Sequence, residues 1–350
     1  MRRARWIALA VLLAMLFAGD YFYWRFAIDQ LRTEFDNWAL RAQAAGGDVR
    51  FGAVSAGGWP DAATLRIENL SVAATGLPSR QGAGLGTVRW GAGAVVLRTR
   101  LTRPDVLEVT PVDPDPIRIG NGPPIPVSTD HLHLRIAMRS NGPPRAIDVE
   151  AVTLAVALPG LGLLGIGDLS VHADLKLDAG RDQAAVRFAL SAHPVSLPDG
   201  IHWGLGPEIA EIVLQGVVNG PLTVGATVAN RATAWRDEGG SLEIHRLAVG
   251  WGQTRIEATA TLALDEDLQP MGTGTGKIAG YRAALDALAA NAVLTRSAAK
   301  AAKAVLSLLA NTPAEGQPEE VEVPLTLQFR TLSVRQVPLT RLPEIDWSGR

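Results

Sequence analysis

The sequence predicts a mainly β protein of the α+β class. It is expected to have an N-terminal transmembrane helix, then a long curved antiparallel sheet folded over on itself, with one long covering helix. Three observations carry that prediction. The chain opens with MRRARWIALAVLLAMLFAGDYFYWRF, an apolar run behind Arg2, Arg3 and Arg5. From Asp48 onward it breaks into short alternating segments punctuated by Gly, Pro and Asn/Asp turns. One proline-free stretch, Tyr281–Asn311, carries its apolar residues at helical spacing instead.

The opening run fixes the first element. Trp6 to Ala18 suits the apolar core of a signal peptide, but cutting after Ala18 or Gly19 would put Leu16 or Phe17 where a small residue is required. An aromatic cluster, Tyr21 to Trp24, follows instead, of the kind found at membrane–water interfaces. Trp6 to Trp24 is 19 residues, about 28 Å as a helix, close to the hydrocarbon thickness of a bilayer. Its anchoring side chains are Trp6, Leu9, Leu12, Leu13, Leu16, Phe17, Tyr21 and Trp24. Asp20 lies near the outer end, where its charge reaches water. The arginines hold the N-terminal end in the cytoplasm. The expectation is a single-pass inner-membrane protein with the bulk of the chain in the periplasm; a cleaved signal peptide is the alternative. Residues 1–24 form the cytoplasmic tip and anchor. Residues 25–47 continue as a juxtamembrane helix, with Phe26, Leu31, Phe35, Trp38 and Ala42 at helical spacing and Gly46-Gly47 as the stop.

Residues 48–350 are the β-rich part. Val49–Ala56, Thr64–Val72, Thr87–Arg98, His131–Arg139, Ile147–Leu158 and Gly167–Leu177 read as strands. Ala184–Ala192, Glu211–Val218, Ser241–Trp251, Arg255–Leu264 and Val323–Val334 continue the series. Ile256, Ala258, Ala260, Leu262 and Leu264 share one face while Glu257, Thr259 and Thr261 share the other. Such alternation belongs to an antiparallel sheet with one buried and one wet face. No βαβ rhythm occurs, which argues against a doubly wound nucleotide fold. Thr110–Pro126 holds six prolines in 17 residues and reads as a loop or edge crossing where two halves meet near 110–126. The covering helix shows Leu285, Leu288, Ala292, Val293, Ala302, Val305 and Leu309 on one stripe, with Thr312-Pro313 as its end.

Composition narrows the function. Lysine and arginine number 33 against 35 acidic residues, a balance that argues against nucleic acid as partner. The absence of cysteine excludes disulfides and thiolate metal sites. MGTGTGKIAGY, Met271–Tyr281, suggests a phosphate cradle, yet Met271 stands where a P-loop needs glycine and Ile278 where it needs Ser or Thr. It reads instead as the return strand of a hairpin, with glycines lining one face. His131 and His133 point the same way from one strand, but Arg135 continues that face as an ordinary wet one. No G-x-S-x-G or HExxH motif occurs. No catalytic residue, metal ligand or cofactor is expected, and the chain does not read as an enzyme. Arg296, Lys300 and Lys303 form a basic stripe that is either a solvated helix face or a contact for anionic headgroups or an acidic partner.

The order of the segments resembles a family. The opening helix is followed by VRFGAVSAGGWPDAATLRIENLSV (Val49–Val72) and later by Gly239–Tyr281, the covering helix and VEVPLTLQFRTLSVRQVPLTRLP (Val321–Pro343). This resembles the alphaproteobacterial domain of unknown function 2125 family, and more loosely AsmA-like envelope proteins. The first aromatic turn here is Gly58-Trp59-Pro60-Asp61, without the second aromatic of the expected Gly-Tyr/Phe-Pro-Phe. The family carries no established catalytic residues to transfer. The AsmA likeness implies an anchored, periplasmic, curved β structure, of a type that shelters lipid acyl chains or assists outer-membrane assembly. The expected function is therefore binding or passing a lipid or hydrophobic ligand in envelope maintenance. A non-enzymatic adaptor that binds envelope proteins, without lipid, is the alternative.

Overall fold

The structure is a computed structural model describing residues 2–44, 46–74, 87–139, 144–201, 204–222, 228–291, 294–309, 320–334 and 337–347, with backbone only at 2–11 and 308–309. A single helix, α1, runs unbroken from Arg2 to Ala44. It ends where Gly47 approaches the carbonyls of Ala42 and Ala73 too closely for any Cβ. The sheet opens with β1 (Asp48–Arg50), β2 (Val54–Gly57), β3 (Ala62–Ala74), β4 (Val88–Arg100) and β5 (Arg103–Pro114). Short β6 (Arg118–Ile119) and β7 (Val127–Ser128) precede β8 (His131–Ala137), β9 (Ala146–Leu158), β10 (Gly162–Leu175), β11 (Ala184–Ser196) and β12 (Glu208–Asn219). After α2 (Val228–Asp237) come β13 (Ser241–Trp251), β14 (Thr254–Leu264) and β15 (Pro270–Ala279). Helices α3 (Tyr281–Ala290) and α4 (Arg296–Leu309) lead into β16 (Glu320–Gln328), β17 (Thr331–Val334) and β18 (Val337–Arg341).

The 18 strands among the described residues form one long open antiparallel sheet. From β9 to β18 every strand pairs with the one before it, so most of the molecule is a meander. The near end is stitched by β1 and β2 on β3, then β4, β5 and β8. MGTGTGKIAGY falls on β15 and pairs along its length with β14, the hairpin its sequence suggests.

The structure departs from the sequence reading at several points. Val49–Ala56 divides into β1 and β2, and Val323–Val334 is two strands, β16 and β17, that turn back on each other at Phe329-Arg330, both at positive φ. Three departures are larger. First, the Pro-rich run does not begin as a loop: Thr110–Pro114 ends strand β5 and pairs with β4. β8 reaches only Val106–Val109 on the other side, so Pro111 and Pro114 sit where that side is open and no ladder bond is lost there. Second, the covering helix is two helices. α3 stops at Asn291, and Thr295 starts α4 by accepting the Ala298 N–H at Oγ1, 3.1 Å away. A break at Asn291 lets the chain double back, so that both helices lie on the sheet side by side rather than as one rod. Ala292, Val293, Thr312-Pro313 and the loop after them lie outside the described residues. Third, α2 was not expected. Its Trp235 donates to the Asn219 carbonyl at 2.7 Å and lies over Gly240, closing the end of the β12–β13 hairpin.

Among the described residues no helix is long and apolar enough to cross a membrane. The side chains of Trp6 and Leu9, which begin the apolar run, lie outside them.

Candidate functional site: the apolar face of the sheet

Pairing register decides which side chains share a face, and it builds one apolar surface from end to end. Ile256 of β14 lies opposite Val249 of β13, which lies opposite Ile212 of β12, then Ala192 of β11, Leu169 of β10 and Ala151 of β9. A second row reads Val218, Val186, Leu175 from β12 to β10. A third row runs from Val149 of β9 across β8, β5, β4 and β3 as Leu134, Val109, Leu97 and Leu65. Toward the other end the surface passes Gly272, Gly274, Gly276 and Ile278 on β15 to Leu327, Leu325, Val323 and Val321 on β16.

The opposite face is wet. It holds the pairs Arg135–Glu150 and Arg66–Glu68, both partly exposed. His131 and His133 stack there with ring centroids 5.9 Å apart. No group of three metal-ligating side chains occurs among the described residues. His172 Nδ1 lies 2.6 Å from Asp148 and Nε2 3.5 Å from Asp174. The hydrogen bond to Asp148 is the main cause that raises the His172 pKa above its ordinary value, against a smaller lowering by burial.

The two ends of the apolar face are covered and the middle is not. α1 lays Phe35 and Ala39 on Leu65, Ile67, Val95 and Leu97. α3 and α4 lay Tyr281, Leu285, Ala302 and Leu306 on Val321, Val323 and Val334. Beneath that helix pair lies a cavity of about 230 Å³, walled almost wholly by apolar side chains including Ile256, Ile278, Leu288 and Leu339. Between the two covers Leu134, Val149, Leu154, Val171, Phe188, Leu190 and Leu214 are only half-buried, with no helix over them among the described residues. Sealing comes there only from a small cluster around Ala192, Val195 and Ile209.

The sequence carries a signal of this continuity that strand-by-strand alternation does not show. In β9 to β12 the apolar positions step by three at one point: Ala151 and Leu154, Ile166 and Leu169, Ala192 and Val195, Ile209 and Ile212. Those steps align across neighbouring strands, where the register skips Thr153, Gly167 and Ala210. An irregularity shifts a period-two pattern by one, so three-residue spacing keeps both halves of each strand on the same face.

The glycines of β15 sit on the apolar face. A Cβ on Gly272 or Gly274 would collide with the carbonyl oxygens of Thr261 and Thr259 on β14, and one on Gly276 would lie 3.2 Å from Leu325 Cδ1. What approaches them is the neighbouring strands, not the following helix.

Of the other sequence-marked residues, Leu12, Leu13, Leu16, Phe17 and Tyr21 project from α1 unburied. Trp24 differs: its indole N–H donates to the Gly57 carbonyl at 3.1 Å. Arg296 and Lys300 are exposed on α4, whereas Lys303 reaches back to Asp286 of α3 at 2.5 Å and fastens the two helices together. The basic stripe is thus one residue shorter than its spacing suggests.

A family model described as an uncharacterized protein conserved in bacteria, DUF2125, matches residues 24–343. The chain belongs to that family. The DUF2125 match takes in the whole sheet and all the helices except the apolar start of α1. No curated protein and no solved structure matches the chain, and the looser AsmA likeness gains no support from the comparisons.

Proposed function

We propose that this DUF2125 protein is a membrane-anchored carrier that holds the acyl chain of a lipid, or a similar hydrophobe, along the apolar face of its sheet. One observation carries the reading. The apolar face runs from β3 to β18, but the described helices cover only its ends, leaving half-buried Leu134, Val171, Phe188, Leu190 and Leu214 between them. A sheet face of that kind is covered by a helix, another sheet or a ligand. A methylene taken from water gains about 0.8 kcal/mol, so even a partly sheltered acyl chain is held without any charged contact. At Gly272 and Gly274 the β14 carbonyls of Thr261 and Thr259 come closer than any Cβ would allow, and glycine positions of this kind support a curved sheet. The apolar run Trp6–Ala18, the interfacial aromatics after it and the arginines before it support an inner-membrane anchor with the sheet on the periplasmic side.

The test is lipid extraction and mass spectrometry on the full chain purified in mild detergent. A stoichiometric phospholipid or fatty acid is expected, and it should be lost in a Leu190→Asp, Leu214→Asp variant that keeps its β-sheet circular dichroism. Absence of bound lipid, together with a defined envelope protein recovered by cross-linking, would overturn the carrier reading in favour of an adaptor.

A further inference from the structure

The β2–β3 turn carries chemistry that the sheet does not need. In Gly58-Trp59-Pro60-Asp61, Gly58 adopts φ +88, and its missing Cβ would lie 2.6 Å from the Ala62 carbonyl oxygen. That conformation throws Trp59 sideways onto α1 instead of into a core. Its ring centroid lies 6.4 Å from Phe17 and 6.2 Å from Tyr21. All three rings stay open: Phe17 is 58% exposed, Tyr21 47% and Trp59 43%. Phe22 and Phe26 on the same helix are exposed as well. Three clustered rings that remain wet give up most of the free energy their contact area could supply.

We propose that this turn is a second membrane contact, with Trp59 seated in the interfacial layer of the phospholipid bilayer beside α1. The inference rests on the anchor reading and follows from helix geometry. If α1 is inserted as far as Trp24, Tyr21 and Phe17 lie about 5 and 10 Å deeper along the axis. Trp59 packs at their level, and the Trp24–Gly57 hydrogen bond fixes the turn to the helix at that height. The turn therefore enters the layer that Trp prefers, where one part of the ring is apolar and the indole N–H reaches a polar partner. Its polar atoms fit that depth. Asp61 is paired with Arg98 at 2.6 Å, and the Asp61 carbonyl accepts the Leu101 N–H of the adjoining turn. Arg100 and Arg103 flank that second turn and are exposed, placing guanidinium groups at the level of lipid phosphates.

The consequence is positional. α1 and β3 run in the same direction from this point, since Gly57 and Trp59 meet α1 near residues 17–24 while Ala73 meets Gly47 at its far end. The end of the apolar face that α1 covers, on β3 and β4, thus begins at the bilayer surface.

The chain has no cysteine, so a single introduced thiol reports one site. Trp59→Cys, Asp61→Cys and Phe17→Cys variants of the full chain are labelled with an environment-sensitive nitrobenzoxadiazole dye in phosphatidylcholine/phosphatidylglycerol vesicles. Labels at 59 and 61 should shift to the blue and be quenched at least twofold more by nitroxide near the headgroup than by nitroxide at the chain end. A Phe17→Cys label should be quenched too. Water-like emission at 59 and 61 with a quenched label at 17 would overturn the turn contact while leaving the anchor intact. Labels at 59 and 61 shielded from aqueous iodide yet untouched by lipid nitroxide would also overturn it, and point to a protein neighbour or a second copy. An unquenched label at 17 would remove the anchor and the turn contact together.

Discussion

The covered ends of the sheet and its bare middle are built from the same strand chemistry, yet they solve different problems. At the ends Ile67, Val321 and Val323 are completely buried, each beneath a helix that supplies Phe35 or Leu306. In the middle the equivalent positions, Val171, Phe188, Leu190 and Leu214, face the same way and stay half-buried. Strand sequence alone does not separate the two, since both alternate apolar and polar. What separates them is whether an amphipathic helix lies within reach along the chain. α1 precedes β3 with only the short β1 and β2 between them, and α3–α4 interrupt the hairpin between β15 and β16, whereas β8 to β12 follow one another with no described helix between them.

The sharpest way to break this comparison is to put one charge in each region. Val323→Asp buries a carboxylate under α4 with no partner and should cost at least about 3 kcal/mol, enough to unfold that end. Leu190→Asp places the same group where water already reaches and should cost about 1–2 kcal/mol, mostly lost apolar area. Chemical denaturation of the two variants reads the difference directly. Equal costs would mean that the middle is sealed, and that its half-buried side chains do not mark a binding surface.

The sequence made the alternation of Ile256–Leu264 and the hairpin with Met271–Ala279 legible because both strands keep strict period two. Strand β5 was hidden by Pro111 and Pro114, which deny a central strand on chemistry but are harmless beside an open edge. The break between α3 and α4 was hidden for the opposite reason: Asn291 and Thr295 end and restart helices without the glycine or proline that usually announces it. The apolar face itself was harder still. Its continuity depends on aligned irregularities in β9 to β12, and a three-residue step in one strand reads as noise until its neighbours are placed beside it. Nor did any local pattern announce which part of the face would be left bare, because that depends on where helices fall relative to strands far apart in the chain.

A second comparison sets the glycine strip of β15 against a glycine of the middle. Gly274→Ala drives a methyl group into the Thr259 carbonyl of β14 and should destabilise by about 1–3 kcal/mol through forced separation of the strands. Gly165→Ala meets the Ser196 side chain, with Cβ at 3.5 Å and Oγ at 3.9 Å, ordinary contacts, and should stay within about 0.5 kcal/mol of the parent. Thermal unfolding of both variants measures it. If Gly274→Ala is as harmless as Gly165→Ala, the close approach of β14 and β15 is not required, and the bend argued from it goes as well.

The smallest effect contrasts the two faces of the middle. On its wet side His172 of β10 bonds Asp148 of β9, with Asp174 also near and Ala189 of β11 opposite. The Asp148 bond raises the His172 pKa above 6.5, so the folded state holds the proton more tightly than the unfolded chain. The stabilisation is therefore fully present below the ordinary histidine value and is lost as pH rises through the higher folded-state value. Because the His172 side chain is 45% exposed, water screens the pair and the stability change should sit near the limit of detection. The titration itself is readable. Nuclear magnetic resonance of the imidazole should show the raised midpoint in the parent and a fall toward 6.5 in Asp148→Asn, with lipid binding unchanged because the pair lies on the opposite face. A change in lipid binding across that pH range would mean that the two faces of the single layer are coupled, and that the wet side does more than keep the sheet soluble.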